Sequence, residues 1–109
     1  MSSDRERIEH IAEAILQIRK YSNRGREAFK SDELIQNWMV RHLQVIGEAA
    51  SKLSIEIKTK HTEVPWREII GMRHVLVHDY FEIDVERVWK VIEHDLDRLN
   101  SHINKLLGK

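Results

Sequence analysis

The sequence predicts an all-α protein folded as an up-and-down four-helix bundle. Apolar residues recur at intervals of three and four along most of the chain, which is the periodicity of helices with one buried face. Only one proline and four glycines occur among 109 residues, so few positions interrupt a helix. No alternation typical of strands is visible, and the short connections between helical segments favour antiparallel neighbours, with room for one short extra helix.

The first predicted helix begins after Ser3. Ser3 and Glu6 have the spacing of a capping box, in which the two side chains satisfy backbone N–H groups at the start of a helix. The helix is expected to end near Tyr21, before a segment that contains a glycine. Its apolar face consists of Ile8, Ile11, Ile15 and Ile18.

A second helix is expected to start at Ser31 and Asp32, because short polar side chains cap helix N-termini. It is long and reaches about Leu53. Residues 54–63 are polar and are interpreted as a connection with a helical turn at 55–58. The apolar stripe predicted for this helix is Trp38, His42, Val45, Ile46, Ala49 and Leu53.

Pro65 suits the first turn of a third helix, where a missing N–H costs nothing. The apolar face of this helix is expected to be Trp66, Ile69, Ile70 and Val77. Residues 81–83 form a short link, and Asp84 caps a fourth helix with nearly heptad spacing. The apolar residues of this last helix are Val85, Val88, Trp89, Ile92, Leu96, Leu99, Ile103 and Leu106.

Composition narrows the class of protein. The chain is 41% hydrophobic and 33% charged, which fits one globular domain over residues 1–109 that gains stability as a homodimer. Eighteen basic residues balance eighteen acidic ones, which argues against a nonspecific nucleic-acid coat but leaves room for a local basic cleft. Cysteine is absent, so disulfides and thiolate metal sites are excluded. No secretory signal or membrane-spanning run is visible, and we expect a cytoplasmic protein.

Polar groups that can bind phosphate or move protons are concentrated in residues 71–80. The Arg73 guanidinium suits phosphate binding, and the His78 imidazole titrates near neutral pH. Together they suit phosphodiester cleavage in RNA, where the 2′-OH is an internal nucleophile and no metal-activated water is required. Five residues turn an unbroken helix by about 140° net, so convergence relies on the long Arg73 stem and on a helix end near His78.

Simpler interpretations of the same residues remain open at this point. Arg73 and His78 could form a surface ion pair, or the histidine could belong to the core. His74 and His78 share a helix face and have zinc-ligand spacing. However, Val75 occupies the position where a zinc-hydrolase motif has its general-base glutamate, and no third ligand beyond Asp79 is evident. We therefore predict neither a metal site nor a cofactor.

Several residues outside this segment have a structural and a functional interpretation. His42 is expected to be a buried histidine rather than a ligand, and Glu48 either pairs with Arg73 or is solvated. The three tryptophans are expected in the core or in a dimer interface rather than stacked on bases: Trp38, Trp66 and Trp89. The cations that precede the motif are expected to be solvated: Lys52, Lys58, Lys60 and Arg67.

Arg73, followed by four residues, His78 and then Tyr80, resembles the Arg-x4-His-x-Tyr signature of HepT-like toxins in the HEPN ribonuclease superfamily. The flanking residues are similar too, with Gly-Met before the arginine, Phe81 after the tyrosine, and Ile-Gly-Glu-Ala-Ala at 46–50. The resemblance extends over about residues 8–99.

This resemblance implies a metal-independent endoribonuclease in which Arg73 and His78 are catalytic and His74 assists. It also implies a homodimer in which the motifs of two chains line one cleft, with RNA as substrate. The partner would be a cognate minimal nucleotidyltransferase antitoxin that silences the toxin by AMPylation of Tyr80. The alternative is a catalytically silent HEPN module that docks such a nucleotidyltransferase.

Overall fold

The structure, a computed structural model, describes residues 3–75, 77–78 and 82–108. For residues 75, 77, 78 and 82 it describes the backbone but not the side chain. Three of the four predicted helices are α1 (Asp4–Ser22), α3 (Glu33–Ser51) and α5 (Trp66–Val75). Two shorter helices lie between them, α2 (Arg26–Ser31) and α4 (Ile55–Lys60). The prediction of an all-α bundle is confirmed.

The fourth predicted helix is one continuous segment with a change of winding. It comprises α6 (Val85–Lys90), a π-helical turn (Val91–Asp95) and α7 (Leu96–Leu106). The backbone keeps right-handed helical dihedral angles at both junctions, so the segment is not broken. Among the described residues, no helix is both long and apolar enough to cross a membrane.

The three helix starts that were predicted from capping residues are confirmed. The side chains of Ser3, Asp32 and Asp84 each accept a backbone N–H from two or three residues further along, at 2.9 to 3.3 Å. Such bonds satisfy N–H groups that have no partner within the helix. The local sequence therefore fixes where α1, α3 and α6 begin.

The core lies around α3, which packs against α1 on one side and α5 on the other. The isoleucines predicted for α1 are all buried. Of the stripe predicted for α3, Ile46, Ala49 and Leu53 are buried, whereas Trp38, His42 and Val45 are only half-buried. A helix with neighbours on two sides buries a wider arc, which here includes residues outside the predicted stripe. Among these are Ile35, Met39, Leu43 and Ala50.

Helix α2 was not predicted, and residues 26–31 are too few to show a periodicity. Gly25 precedes it with φ of +92°, a conformation that glycine adopts without strain. Its single buried side chain, Phe29, is 1% exposed and packs against the ring of Trp89. The sequence allowed one short extra helix, but the structure has two. The other is α4, which extends the predicted turn at 55–58.

Two short strands correct the predictions for the segment after α5. The helix ends at Val75, so Val77 does not belong to its apolar face. Strand β1 (Val77–His78) pairs antiparallel with β2 (Glu82–Ile83), which had been expected to be a link. Valine favours an extended backbone, so Val77 suits a strand.

Asp4 connects the start of α1 to the start of α4. Its carboxylate accepts the Ser54 backbone N–H at 2.9 Å and the Ser54 hydroxyl at 2.6 Å. Ser54 Oγ in turn accepts the backbone N–H of Ile57, the cap of α4. The hydrogen bonds from the Ser54 side chain and backbone hold the pKa of Asp4 below its ordinary value.

We expect Asp4→Asn to lower the free energy of unfolding by about 1 kcal/mol at neutral pH, because a charge-assisted hydrogen bond is weakened. Since the folded-state pKa is depressed, the contribution is complete above the unfolded-state pKa of about 3.9 and is lost as pH falls through the folded-state pKa. Urea denaturation from neutral to strongly acidic pH measures both effects, and the wild type and variant should converge in acid.

The matched control is Glu9→Gln on the same helix. Glu9 is exposed and, among the described residues, its ion pair is with Arg5 at 4.0 Å, a distance at which little stability is gained. A loss of stability as large as that of Asp4→Asn would contradict the importance of the Ser54 contact.

Candidate functional site

Helices α3 and α5 touch backbone to backbone at Gly47. A Cβ atom at this position would lie 3.0 Å from the backbone N of Arg73, 3.0 Å from its Cγ and 3.0 Å from the carbonyl O of Ile69. Two of these atoms belong to the backbone of α5 and cannot move alone. Glycine therefore permits a close helix contact that sets the position of Arg73.

Arg73 lies in the last turn of α5 and turns its guanidinium towards α3. Its Nη1 is 3.8 Å from Oε2 of Glu48, which confirms the ion-pair interpretation of that glutamate. The Arg73 side chain is 32% exposed, but its Nε is buried and has no hydrogen-bond partner among the described residues. Glu48 is also 3.9 Å from Nζ of Lys52, so two cations lie near this carboxylate.

The guanidinium opens into a cleft of about 370 Å³ on the surface of α3 and α5. Its lining is Arg41, Gln44, Val45, Glu48 and Arg73. The α3 members are spaced by three, four and seven, which places them on one helix face. The sequence analysis missed Arg41 and Gln44, although their helical spacing from Glu48 was the signal that could have found them.

The backbone of His78 belongs to a ladder whose other strand contacts α3. His78 pairs with Glu82 in the two-stranded ladder, and the neighbouring residue Ile83 is half-buried against the core. Strand β2 also contacts α3, the helix that carries Glu48. The side chain of His78 lies outside the described residues.

The other predicted site residues have different positions. His74 is exposed beside Arg73 in the last turn of α5. Tyr80, predicted to be modified, lies outside the described residues. Among those residues, no group of three His, Asp or Glu side chains is arranged to hold a metal ion. The cleft instead presents guanidinium groups, which suit an anion such as phosphate.

His42 and Trp38 form a half-buried aromatic pair on α3. Their ring centroids are 4.6 Å apart, and the Trp38 indole N–H donates to the carbonyl O of Gln17 at 2.7 Å. Burial lowers the pKa of His42, and the positive charge of Arg41 adds to the effect. Trp66 and Trp89 are buried in the core, as the sequence analysis expected.

A family model described as Ribonuclease HepT-like matches residues 11–106. The chain belongs to the HepT-like family. A protein of Caldanaerobacter subterraneus subsp. tengcongensis that is provisionally named an RNase is 34% identical to this chain. The match covers 100% of this chain and 98% of that relative. A protein of Thermococcus cleftensis named as a probable ribonuclease HepT is 37% identical, and that match covers 95% of this chain and 96% of the relative. No solved structure matches the chain. Membership of the HepT-like family supports a ribonuclease function.

We expect Gly47→Ala to destabilise this HepT-like protein, because the added methyl group meets the backbone of α5 at 3.0 Å. Overpacking typically costs about 1–3 kcal/mol, more than the gain of up to about 1 kcal/mol from the higher helix propensity of alanine. The melting temperature should fall.

Gly71→Ala is the matched control within α5. Among the described residues, a Cβ atom at Gly71 meets nothing within 4 Å, so we expect only the propensity gain to apply and the melting temperature to rise. Equal shifts in the two variants would show that the contact between α3 and α5 is not close enough to exclude a methyl group.

Proposed function

We propose that the chain is a metal-independent endoribonuclease, the toxin of a pair whose antitoxin is a minimal nucleotidyltransferase. The observation that carries the proposal is the placement of Arg73. In a chain of the HepT-like family, Gly47 and Glu48 lie against Arg73 where its guanidinium lines an open cleft, and His78 follows in a strand whose partner contacts α3. The names of the relatives agree with RNA as the substrate.

The reaction uses the 2′-OH of the RNA as the nucleophile. A base removes the 2′-hydroxyl proton, the 2′-oxygen forms a bond to phosphorus, and the bond from phosphorus to the 5′-oxygen breaks. A proton delivered to the leaving 5′-oxygen completes the step. The products are a 2′,3′-cyclic phosphate and a 5′-hydroxyl, so atoms and charge balance without an added water molecule.

Each motif residue has one role in this mechanism. Arg73 binds the phosphate and stabilises the charge that develops on its oxygens, because a guanidinium presents several N–H donors in a fixed plane. His78 transfers protons, since an imidazole changes its charge near neutral pH. His74, exposed beside Arg73, helps to orient the phosphate. Two copies of the chain face each other in a homodimer, so that their motifs line one cleft.

We expect Arg73→Ala and His78→Ala each to reduce cleavage of total RNA by about 10²–10⁴-fold in the presence of EDTA, the usual effect of losing a positioned acid–base or charge-stabilising group. End-group analysis of the products should find 2′,3′-cyclic phosphate, or the phosphate from its hydrolysis, and a 5′-hydroxyl.

His10→Ala provides the matched histidine control, because His10 is exposed on α1 and does not line the cleft. Its cleavage rate should equal that of the wild type. Cleavage that EDTA abolishes and zinc restores would contradict the metal-independent mechanism.

Two further outcomes bear on the alternatives. A wild type that is inert towards RNA but binds a nucleotidyltransferase would favour the silent docking module. A protein that is monomeric at micromolar concentration would argue against a cleft shared by two chains.

We further propose that AMPylation of Tyr80 silences the enzyme. A base takes the proton of the tyrosine hydroxyl, whose oxygen forms a bond to the α-phosphorus of ATP bound to the nucleotidyltransferase. The bond from that phosphorus to the oxygen that bridges it to the β-phosphorus breaks, and pyrophosphate leaves. The product carries a phosphodiester with one negative charge two residues after His78. This charge would compete with RNA phosphate for Arg73, and the adenosine would block the cleft sterically.

We expect co-expression with a candidate nucleotidyltransferase to add whole AMP units to the wild type and to abolish cleavage without unfolding. Tyr80→Phe should keep most of the ribonuclease activity and gain no mass, because only the acceptor oxygen is removed. Intact-mass spectrometry measures the modification, and thermal denaturation measures the fold.

Tyr21→Phe is the matched control, since the chain has only two tyrosines. Tyr21 is half-buried with its ring 5.5 Å from that of Trp38, and this variant should gain the same mass as the wild type. A mass gain that persists in Tyr80→Phe and disappears in Tyr21→Phe would place the modification on α1 instead.

A further inference from the structure

We propose that Arg41, with Gln44, forms a second phosphate subsite, which binds the RNA phosphate next to the one held by Arg73. This inference rests on the proposed ribonuclease function for its ligand class. Arg41 lies outside the Arg–His motif, at the end of the cleft away from Arg73.

The cleft has two cationic ends that share one helix as their floor. Arg41 and Glu48 are seven residues apart on α3, so they lie on the same face and about 10 Å apart along the axis. Arg73 joins the cleft at the Glu48 end, where the ion pair holds it. A single strand that enters along α3 therefore meets Arg41 at one end and Arg73 at the other.

Charge also distinguishes Arg41 from Arg73. The described lining of the cleft contains two guanidinium groups and one carboxylate, and that carboxylate is already close to Arg73 and Lys52. Arg41 is exposed and has no ion pair or hydrogen bond with any residue in the described ranges. The positive charge of Arg41 is thus available to an anion. The charge of Arg73 is less available, because Glu48 offsets part of it.

The remaining lining fits a nucleotide better than a bare anion. Gln44 offers an amide that donates and accepts hydrogen bonds, and it lies one helical turn from Arg41 on the same face. Val45 adds an apolar surface between the two ends of the cleft, suited to a ribose or the face of a base. Phosphate contacts of this kind fix the register of a strand without reading its sequence.

The experiment measures binding of a short single-stranded 2′-O-methyl RNA by fluorescence anisotropy over a range of salt concentrations. This probe keeps every phosphate but lacks the 2′-OH nucleophile, so it cannot be cleaved. Arg41→Gln should weaken binding by about tenfold at low salt. It should also reduce the slope of log K against log salt by about 0.7, the value for one phosphate contact on a single strand. Arg41→Lys should give an intermediate loss.

Arg67→Gln is the matched control, because it removes the same charge from an exposed position on α5 outside the cleft lining. Its affinity and salt slope should equal those of the wild type. A second probe carries one uncharged methylphosphonate at the linkage next to the phosphate that Arg73 binds. The wild-type protein should bind this probe as weakly as Arg41→Gln binds the unmodified probe. Arg41→Gln should bind the modified probe no more weakly still.

The outcomes separate this proposal from the ribonuclease proposal. If the wild type cleaves unmodified RNA but Arg41→Gln binds the probe like Arg67→Gln, the subsite is overturned and the ribonuclease stands. If binding depends on Arg41 and no RNA is cleaved, the subsite stands and the ribonuclease fails. A wild type that does not bind the probe, or an Arg41→Gln variant with an altered sedimentation coefficient, would overturn the subsite, the latter by placing Arg41 in an interface.

Discussion

The contact between α3 and α5 at Gly47 determines the geometry of the whole candidate site. A glycine inside a helix costs about 1 kcal/mol relative to alanine, so its presence in the middle of α3 works against helix stability. In return the two backbones approach until the stem of Arg73 lies against the surface of α3. A side chain at this position would separate the helices and move the guanidinium away from Glu48.

The ion pair between Arg73 and Glu48 contributes more to orientation than to stability. Its atoms are 3.8 Å apart and more than half of the Glu48 side chain is exposed, so it is expected to contribute less than about 1 kcal/mol. A contact at that distance leaves most of the guanidinium N–H groups unused. The pair thus keeps Arg73 directed into the cleft, and the guanidinium retains donors for a phosphate.

The sequence predicted well where the helices begin, because helix starts are decided by nearby capping residues. Ser3, Asp32 and Asp84 cap their own helices through residues two or three positions away, and each predicted helix start was confirmed. Features that depend on distant contacts were missed. Helix α2 exists because Phe29 packs against Trp89, and the buried arc of α3 reflects neighbours on both sides.

The π-helical turn shows the same limit within a correctly predicted helix. Val88, Ile92 and Leu96 are all buried although they are spaced by four. In an ideal α-helix each such step rotates the chain by about 40° beyond a full turn, which would carry Leu96 about 80° from the face of Val88. The wider turn at Val91–Asp95 reduces this rotation, so the three side chains lie closer to one face than in a regular α-helix.

The site itself was only half accessible to sequence reasoning. The motif identified Arg73 and the pairing with Glu48 was considered, but Arg41 has no recognisable motif and belongs to the cleft only because α5 lies against α3. Arg41 matters more because the net charge of the chain is zero. Charges more than about 8 Å apart are largely screened at physiological salt, so under the proposed function we expect a neutral protein to attract RNA through contacts inside the cleft rather than from a distance. Because a strand would have to follow the surface of α3, we expect flexible single strands to bind better than a rigid duplex.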